Sequence, residues 1–291
     1  MGGMREINAE ELLEAVLPTI LLYSEYVQAM QPVARVALKG DESENLALRV
    51  LTDADLIFQE GIARELLKIQ KEKGLGIVFL PEEESPYNNH FPKEGRIKFG
   101  LDPIDGTLVY ANGHKTFCHV ASVFQDDRLE GALVHTPIDR RIYCRTKNET
   151  KLLKYKNGMI KRQRFCISEG NNIALSLDVP EDVEKELRDH GINVMLFGTE
   201  RIGEEIEINS IFRGEIGAFF KHHAAYVDWG PLGFIAEGSS AKVTDFQGNK
   251  IEHKYWRRSN IPEGTIPSII VTTNPWMHEK LVETLGRYYV K

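Results

Sequence analysis

Leu101-Asp102-Pro103-Ile104-Asp105-Gly106-Thr107 follows an apolar run, Ile97 to Leu101, that reads as a strand. Pro103 restricts the backbone of a turn, so that two carboxylates three residues apart converge on one side of it. Gly106 lets the chain approach a ligand closely, and Thr107 sets a hydroxyl and a backbone N–H beside the acids. Oxygen ligands at one end and N–H donors at the other suit hard cations and a phosphate. The plain alternative is an Asp-Pro-x-Asp-Gly turn at a strand end, and the neighbouring segments argue against it.

Upstream, Ile77 to Leu80 is a second apolar run, and Pro81-Glu82-Glu83-Glu84-Ser85 follows it directly. A triple acid on a loop is ordinarily only solvated. Here two strands each release acids at their C-terminal ends, where ligands of α/β sheets bind. Thr52-Asp53-Ala54-Asp55 opens a helical segment; Thr52 and Asp53 suit helix capping, whereas Asp55 is spare. Like charges gathered in this way repel unless a cation lies between them. Whether Asp53 or Glu84 also meets a cation stays open.

Outward from this centre, apolar spacing predicts helices over 10–30, with a kink at Pro18, and over 54–72, stopped by 73–76. An antiparallel meander is expected over 117–124, 129–135 and 141–145. Beyond 150 the pattern alternates: helix 181–189, strand 192–197, helix 202–212, strand 216–220, a helix from Asp228, strands 241–244 and 268–271, and helix 276–288. The polar stretch 246–266 reads as a loop. The interleaving gives a layered α/β protein of two halves, 1–148 and 149–291, forming one compact unit.

The remaining composition narrows the function. With 36 basic and 43 acidic residues the net charge is −7, which disfavours a nucleic acid polymer as partner. No apolar run approaches the roughly eighteen residues of a membrane span. No leader-like segment is expected at the N-terminus, and Glu6 spoils a myristoylation motif at Gly2. Cys118, Cys144 and Cys166 lack metal-ligand spacing and read as free thiols of a reducing cytoplasm. His222-His223 reads as scaffold, Lys161 to Arg164 as a solvated strand flank, and no dinucleotide fingerprint, Walker loop or EF-hand occurs.

The order Thr-x-Ala-Asp (52–55), Glu-Glu-Ser (83–85), Asp-Pro-Ile-Asp-Gly-Thr (102–107) and a late Asp228 resembles the inositol monophosphatase superfamily of magnesium-dependent, lithium-sensitive phosphatases. The resemblance runs from about Lys39 to Gly248 and is strongest over 50–137. It implies an α-β-α-β-α sandwich of the sugar phosphatase type, a small phosphorylated metabolite as substrate, two or three Mg²⁺, and a homodimer. Glu83, Asp102 and the Ile104 carbonyl would hold one Mg²⁺; Asp102, Asp105 and Asp228 would hold a second; a third, weaker one would sit near Glu83. Asp55 and Thr107 would orient the attacking water, and Gly106 and Thr107 would meet the phosphate.

Departures from the family pattern touch the substrate and leave the metal set intact. They include Val109, Val227 before Asp228, Ser239-Ser240, and a long Lys39–Asp55 interval. Lys221 stands where inositol-hydrolysing members carry an acid toward the sugar ring, so a substrate with a second anionic group is expected. A bisphosphate nucleotidase or fructose-bisphosphatase of the same superfamily is therefore an alternative, as is a non-catalytic metal-binding regulatory protein.

Overall fold

The computed structural model describes residues 7–39, 50–156, 158–176, 178–196, 206–254 and 265–289. Helix α1 (Ala9–Met30) starts at Asn8, whose side chain accepts from Glu11 N, and carries Pro18 inside it. Strands β1 (Val36–Leu38) and β2 (Val50–Thr52) pair antiparallel and lead into α2 (Asp53–Lys73), which ends at Gly74 as the sequence predicts. Then come β3 (Ile77–Pro81), β4 (Ile97–Asp105), the short α3 (Thr107–Ala111), and β5 (Cys118–Gln125), β6 (Arg128–Thr136) and β7 (Arg141–Thr146), the expected meander.

Strands β8 (Thr150–Lys156) and β9 (Met159–Arg164) complete a seven-stranded sheet in sequence order β3 to β9, with only β3 and β4 parallel. The sheet therefore continues beyond residue 148. Strands β10 (Ile173–Ser176) and β11 (Asn193–Leu196), either side of α4 (Glu181–Asp189), open a second sheet. Its order is β11-β10-β12-β14-β13, with β12 (Ala218–Ala225), β13 (Lys242–Thr244) and β14 (Thr265–Thr272). Between β12 and β13 lies α5 (Tyr226–Glu237), and α6 (Pro275–Tyr289) follows β14.

The alternation of side chains sorts the apolar residues into three cores. Leu12, Val16 and Ile20 of α1, with Phe58, Ile62 and Leu66 of α2, meet Phe99, Leu101 and Val123 on one face of the first sheet. The other face, with Val120, Phe124 and Val134, meets Trp229, Leu232 and Ile235 of α5 and Phe219 of the second sheet. The far face of that sheet, through Phe220 and Ile270, packs on Val183 of α4 and Met277 and Leu281 of α6. The result is the α-β-α-β-α layering, with α5 between the two sheets.

Two expectations shift. The predicted helix 202–212 is, where described, a 3-10 helix over Ile208–Arg213; residues 202–205 lie outside the described residues. Of the expected loop 246–266, Thr265 and Ile266 begin β14, and 255–264 lie outside the described residues. Cys118 and Cys144 are buried and Cys166 is exposed, all free. Among the described residues no helix is long and apolar enough to cross a membrane.

Backbone packing is tight where β12 begins. A Cβ built on Gly217 would stand 2.2 Å from the Asn171 carbonyl oxygen, a backbone atom with little room to yield. One on Gly76 meets nothing within 4 Å. Gly217→Ala is expected to cost about 3 kcal/mol, the upper part of the usual overpacking range, while Gly76→Ala is neutral or stabilising by up to about 1 kcal/mol. Urea unfolding midpoints of the two variants check this; equal midpoints would contradict the packing described.

Candidate metal centre and active site

Strands β3 and β4 run parallel and end side by side, Pro81 opposite Leu101, so their acids emerge at one sheet edge. Gln59 of α2 anchors the chain just past β3. Its Nε2 donates to the Glu83 carbonyl at 2.6 Å, and its Oε1 accepts from Glu83 N at 3.0 Å. Asn88 Nδ2 donates to the same carbonyl at 3.0 Å. These three bonds hold Glu83 in a buried position, while Glu84 faces solvent.

In a regular strand, residues an odd number apart point to opposite faces, which would separate Asp102 from Asp105. The β4–β5 ladder removes the conflict. Asp102 pairs with Val120 and the next pair is Asp105 with Cys118, three residues advanced on β4 against two on β5. This one-residue bulge at Pro103-Ile104 resets the alternation and turns both carboxyls toward α5. The expected turn is thus a bulged strand that runs on through Asp105. Cys118 Sγ, on that face, donates to Asp105 Oδ2 at 3.2 Å. Asp228 arrives from the opposite side, in the first turn of α5, where a carboxylate is favoured by the helix dipole.

Asp55 closes the site from α2. Its Oδ2 accepts from Thr52 N at 2.8 Å and from Thr52 Oγ1 at 2.6 Å, which makes Asp55 the reciprocal member of the capping box of α2. Its Oδ1 lies 3.3 Å from Thr107 Oγ1, which also lies 2.8 Å from the Ile104 carbonyl oxygen. Asp55, Thr107 and Ile104 are therefore one connected group. Asp53 turns away and accepts from Arg35 N at 3.0 Å. Gly106 holds φ at +89°, a conformation open to glycine at little cost, and so starts α3 immediately beyond β4.

Besides Gln59, three residues here, Lys39, Glu82 and Glu207, were not singled out as site residues from the sequence. Lys39, just after β1, places Nζ 2.7 Å from Glu82 Oε1 and 2.5 Å from Glu83 Oε1. Glu82 stands near the Asp102 carboxyl, and its charge helps to raise that acid. Glu207, fully buried before the 3-10 helix, puts its carboxyl carbon 3.5 Å from where a Gly106 Cβ would stand. Lys221 lies on β12, buried, with Nζ 2.6 Å from Oδ1 of the exposed Asp178.

Electrostatics follows from this crowding. Burial, then the charges of Glu82, Asp105 and Asp228, hold Asp102 well above the ordinary carboxyl range. Asp228 rises for the same reasons, burial first and then Glu82 and Asp105, with Lys39 opposing. Burial raises Asp105 to about 6 against the Cys118 hydrogen bond, and Asp55 to about 7 against its bonds from Thr52. Burial and then Asp105 push Glu207 well up. Burial lowers the Lys39 ammonium, but Glu82 and Glu83 outweigh it and hold its pKa above the usual value.

Among the described residues no three His, Cys, Asp or Glu side chains stand at the spacing of a closed metal cage. The donor set nevertheless fits a hard cation. Asp102 Oδ1 and Asp228 Oδ1 are buried with no hydrogen-bond partner among the described residues, and the surrounding ligating atoms are carboxylate and carbonyl oxygens.

A five-layered α/β fold with acids converging from a bulged strand, a neighbouring parallel strand and the central helix places the chain among the phosphoric monoester hydrolases. The chain belongs to the inositol monophosphatase family, which matches residues 20–288. No curated protein matches it. Among solved structures it is similar to the extragenic suppressor protein SuhB of Bartonella henselae, at 17% identity and TM-score 0.68, covering 94% of this chain and 98% of that one. The IMPase of Thermotoga maritima shows 14% identity and TM-score 0.67, covering 94% and 96%. Inositol monophosphatase II of Staphylococcus aureus shows 15% identity and TM-score 0.64, covering 96% and 97%.

Carboxyls with raised pKa bind protons in the folded chain that the unfolded chain has already released. Stability of the cation-free protein must therefore fall as pH rises toward and through their folded values. Buried His119, with its pKa lowered to about 4, works in the opposite direction, but only below its unfolded value of about 6.5. Between about pH 6.5 and about pH 8 the carboxyls dominate, and calorimetry in excess chelator should show the melting temperature falling. Asp102→Asn should flatten that slope. A melting temperature that rises across this window would contradict the electrostatic picture.

Proposed function

We propose that the chain hydrolyses a small phosphate monoester with a magnesium-activated water and no phosphoenzyme. The observation that carries this reading is the bulge that turns Asp102 and Asp105 toward Asp228, with Asp102 and Asp228 carboxylate oxygens that are buried and without a hydrogen-bond partner among the described residues. Glu83, Asp102 and the Ile104 carbonyl would hold one Mg²⁺, and Asp102, Asp105 and Asp228 a second. A third near Glu83 would share that carboxylate with the Lys39 ammonium. Bound there, divalent cations supply charge neutralisation for the ester and leaving alkoxide, and a water acidic enough to act as hydroxide. One structurally similar protein, an IMPase/NADP phosphatase, has been solved with Mg²⁺ and phosphate, which supports the choice of ion.

The chain's own groups divide the remaining work. Asp55 and Thr107, joined through their side chains, hold a water against the phosphorus and take up its proton; the raised pKa of Asp55, about 7, suits a proton acceptor at neutral pH. Gly106 and Thr107 would meet the phosphate, and the Glu207 carboxyl stands beside Gly106. The partner is the substrate itself. The family resemblance supports a homodimer and, with the cysteine pattern, a cytoplasmic setting as parts of this proposal.

A second reading concerns the substrate. Lys221 is buried, yet its partner Asp178 is exposed and displaceable. An ester carrying a second phosphate or a carboxylate would take the place of Asp178, which favours a bisphosphate over inositol 1-phosphate. Competition between the two substrate types in wild type and Lys221→Met measures this; equal kcat/KM ratios in both proteins would leave Lys221 without a role in recognition.

Phosphate release from a panel of monoesters is expected to require free Mg²⁺, to stop reversibly on chelation, and to be inhibited by Li⁺. Asp105→Asn should lower kcat by about 100- to 1000-fold, the scale for losing one electrostatic contact to the transition state, without lowering the melting temperature. Thr107→Val should keep Mg²⁺ affinity and lose rate. Undiminished turnover in chelator would contradict the reading, and no turnover on any ester would favour a non-catalytic regulatory protein.

A further inference from the structure

We propose that His119 is a positioning residue that sets the metal-binding bulge and ties it to helix α1. The inference rests on reading Asp102 and Asp105 as metal ligands.

His119 sits on β5 at the residue facing the bulge, between the pairs Asp102–Val120 and Asp105–Cys118. The bulge takes Pro103 and Ile104 out of the ladder, so the Pro103 carbonyl needs another donor. His119 Nδ1 makes a short hydrogen bond to it. A carbonyl oxygen only accepts, so Nδ1 carries the ring proton and Nε2 is left as an acceptor. Ser24 Oγ, fully buried on α1, stands 3.0 Å from Nε2 and donates to it. Helix, imidazole and bulge are thus joined by two bonds whose directions are fixed.

The ring is itself held in place. It stacks on Phe58 of α2 at 4.2 Å between centroids and 18° between planes, and meets Phe117 edge-on at 5.6 Å. The site uses the opposite face of the same strand, where Cys118 holds Asp105. Consecutive residues of β5 therefore grip the bulge from both sides of the sheet. A bulge that rotated would swing Asp105 or the Ile104 carbonyl away from Asp228, and the His119 bond to Pro103 opposes that rotation. Groups of this kind, one step behind metal ligands, typically change affinity by about 10- to 100-fold when lost.

Two substitutions separate this role from mere packing. His119→Phe keeps the ring stacked on Phe58 but removes the donor; His119→Asn keeps a donor near the position of Nδ1 but loses the ring. Mg²⁺ dissociation constants from isothermal titration calorimetry and melting temperatures, with neither measurement depending on turnover, are the readouts. The expected pattern is crossed: His119→Phe binds Mg²⁺ at least about tenfold more weakly with the smaller loss of melting temperature, and His119→Asn melts lower yet binds nearer to wild type. Ser24→Ala, a milder change, should also weaken Mg²⁺ binding, which keeps the proposal testable if His119→Phe fails to fold. Wild-type Mg²⁺ affinity in His119→Phe, or, where that variant does not fold, in Ser24→Ala, would overturn the proposal, as would His119→Asn binding no better than His119→Phe. Asp102→Asn serves as the reference: if it too binds Mg²⁺ like wild type, the metal-site reading fails along with the proposal.

Discussion

Four acids from three places in the chain, Glu83, Asp102, Asp105 and Asp228, are packed where water cannot separate their charges, and most of the architecture is arranged around that repulsion. Burial, with the charge of Glu82 beside them, holds each of them above the ordinary carboxyl range. The arrangement is stable only with protons or cations among the oxygens. In the chain as described, the Lys39 ammonium, paired with Glu82 and Glu83, supplies positive charge there. Those ion pairs are reversible, which suits the divalent cations proposed for this site.

Holding like charges together takes rigid support from every side. The bulge in β4 aims two carboxyls the same way, and β5 fixes it through Cys118 on one face and His119 on the other. Helix α2 contributes Gln59 to clamp the Glu83 backbone and, from its first turn, Asp55. Helix α5, between the sheets, brings Asp228 across, and its apolar residues are buried against both sheets. The three cores are thus the means by which distant segments meet at one sheet edge.

Much of this was legible in the residues. Asp102-Pro-Ile-Asp-Gly-Thr stands out because its residue types serve few purposes other than cation and anion binding, and apolar periodicity located α1, α2, α6 and the meander. The bulge was not legible: a period of two cannot reveal an inserted residue, and Pro103 suggested a turn instead. Strands β8 and β9 were missed because β9, Met-Ile-Lys-Arg-Gln-Arg, is an exposed edge without apolar alternation. Lys39, Glu207 and Gln59 act through contacts distant in sequence, which local patterns do not carry. Glu82 was hidden within a run of three acids, only one of which was assigned a role. The Lys221 position was noticed, but its ion pair with Asp178 depends on how β10 and β12 lie side by side.

The central claim is that the bulge and α5 together build one cation site that shares Asp102. Anomalous diffraction from crystals soaked in Mn²⁺, collected above the manganese absorption edge, tests it directly. The account expects at least two peaks, both within coordination distance of Asp102, one reaching Glu83 and the Ile104 carbonyl and the other reaching Asp105 and Asp228. Peaks elsewhere on the chain with none at Asp102 would contradict it.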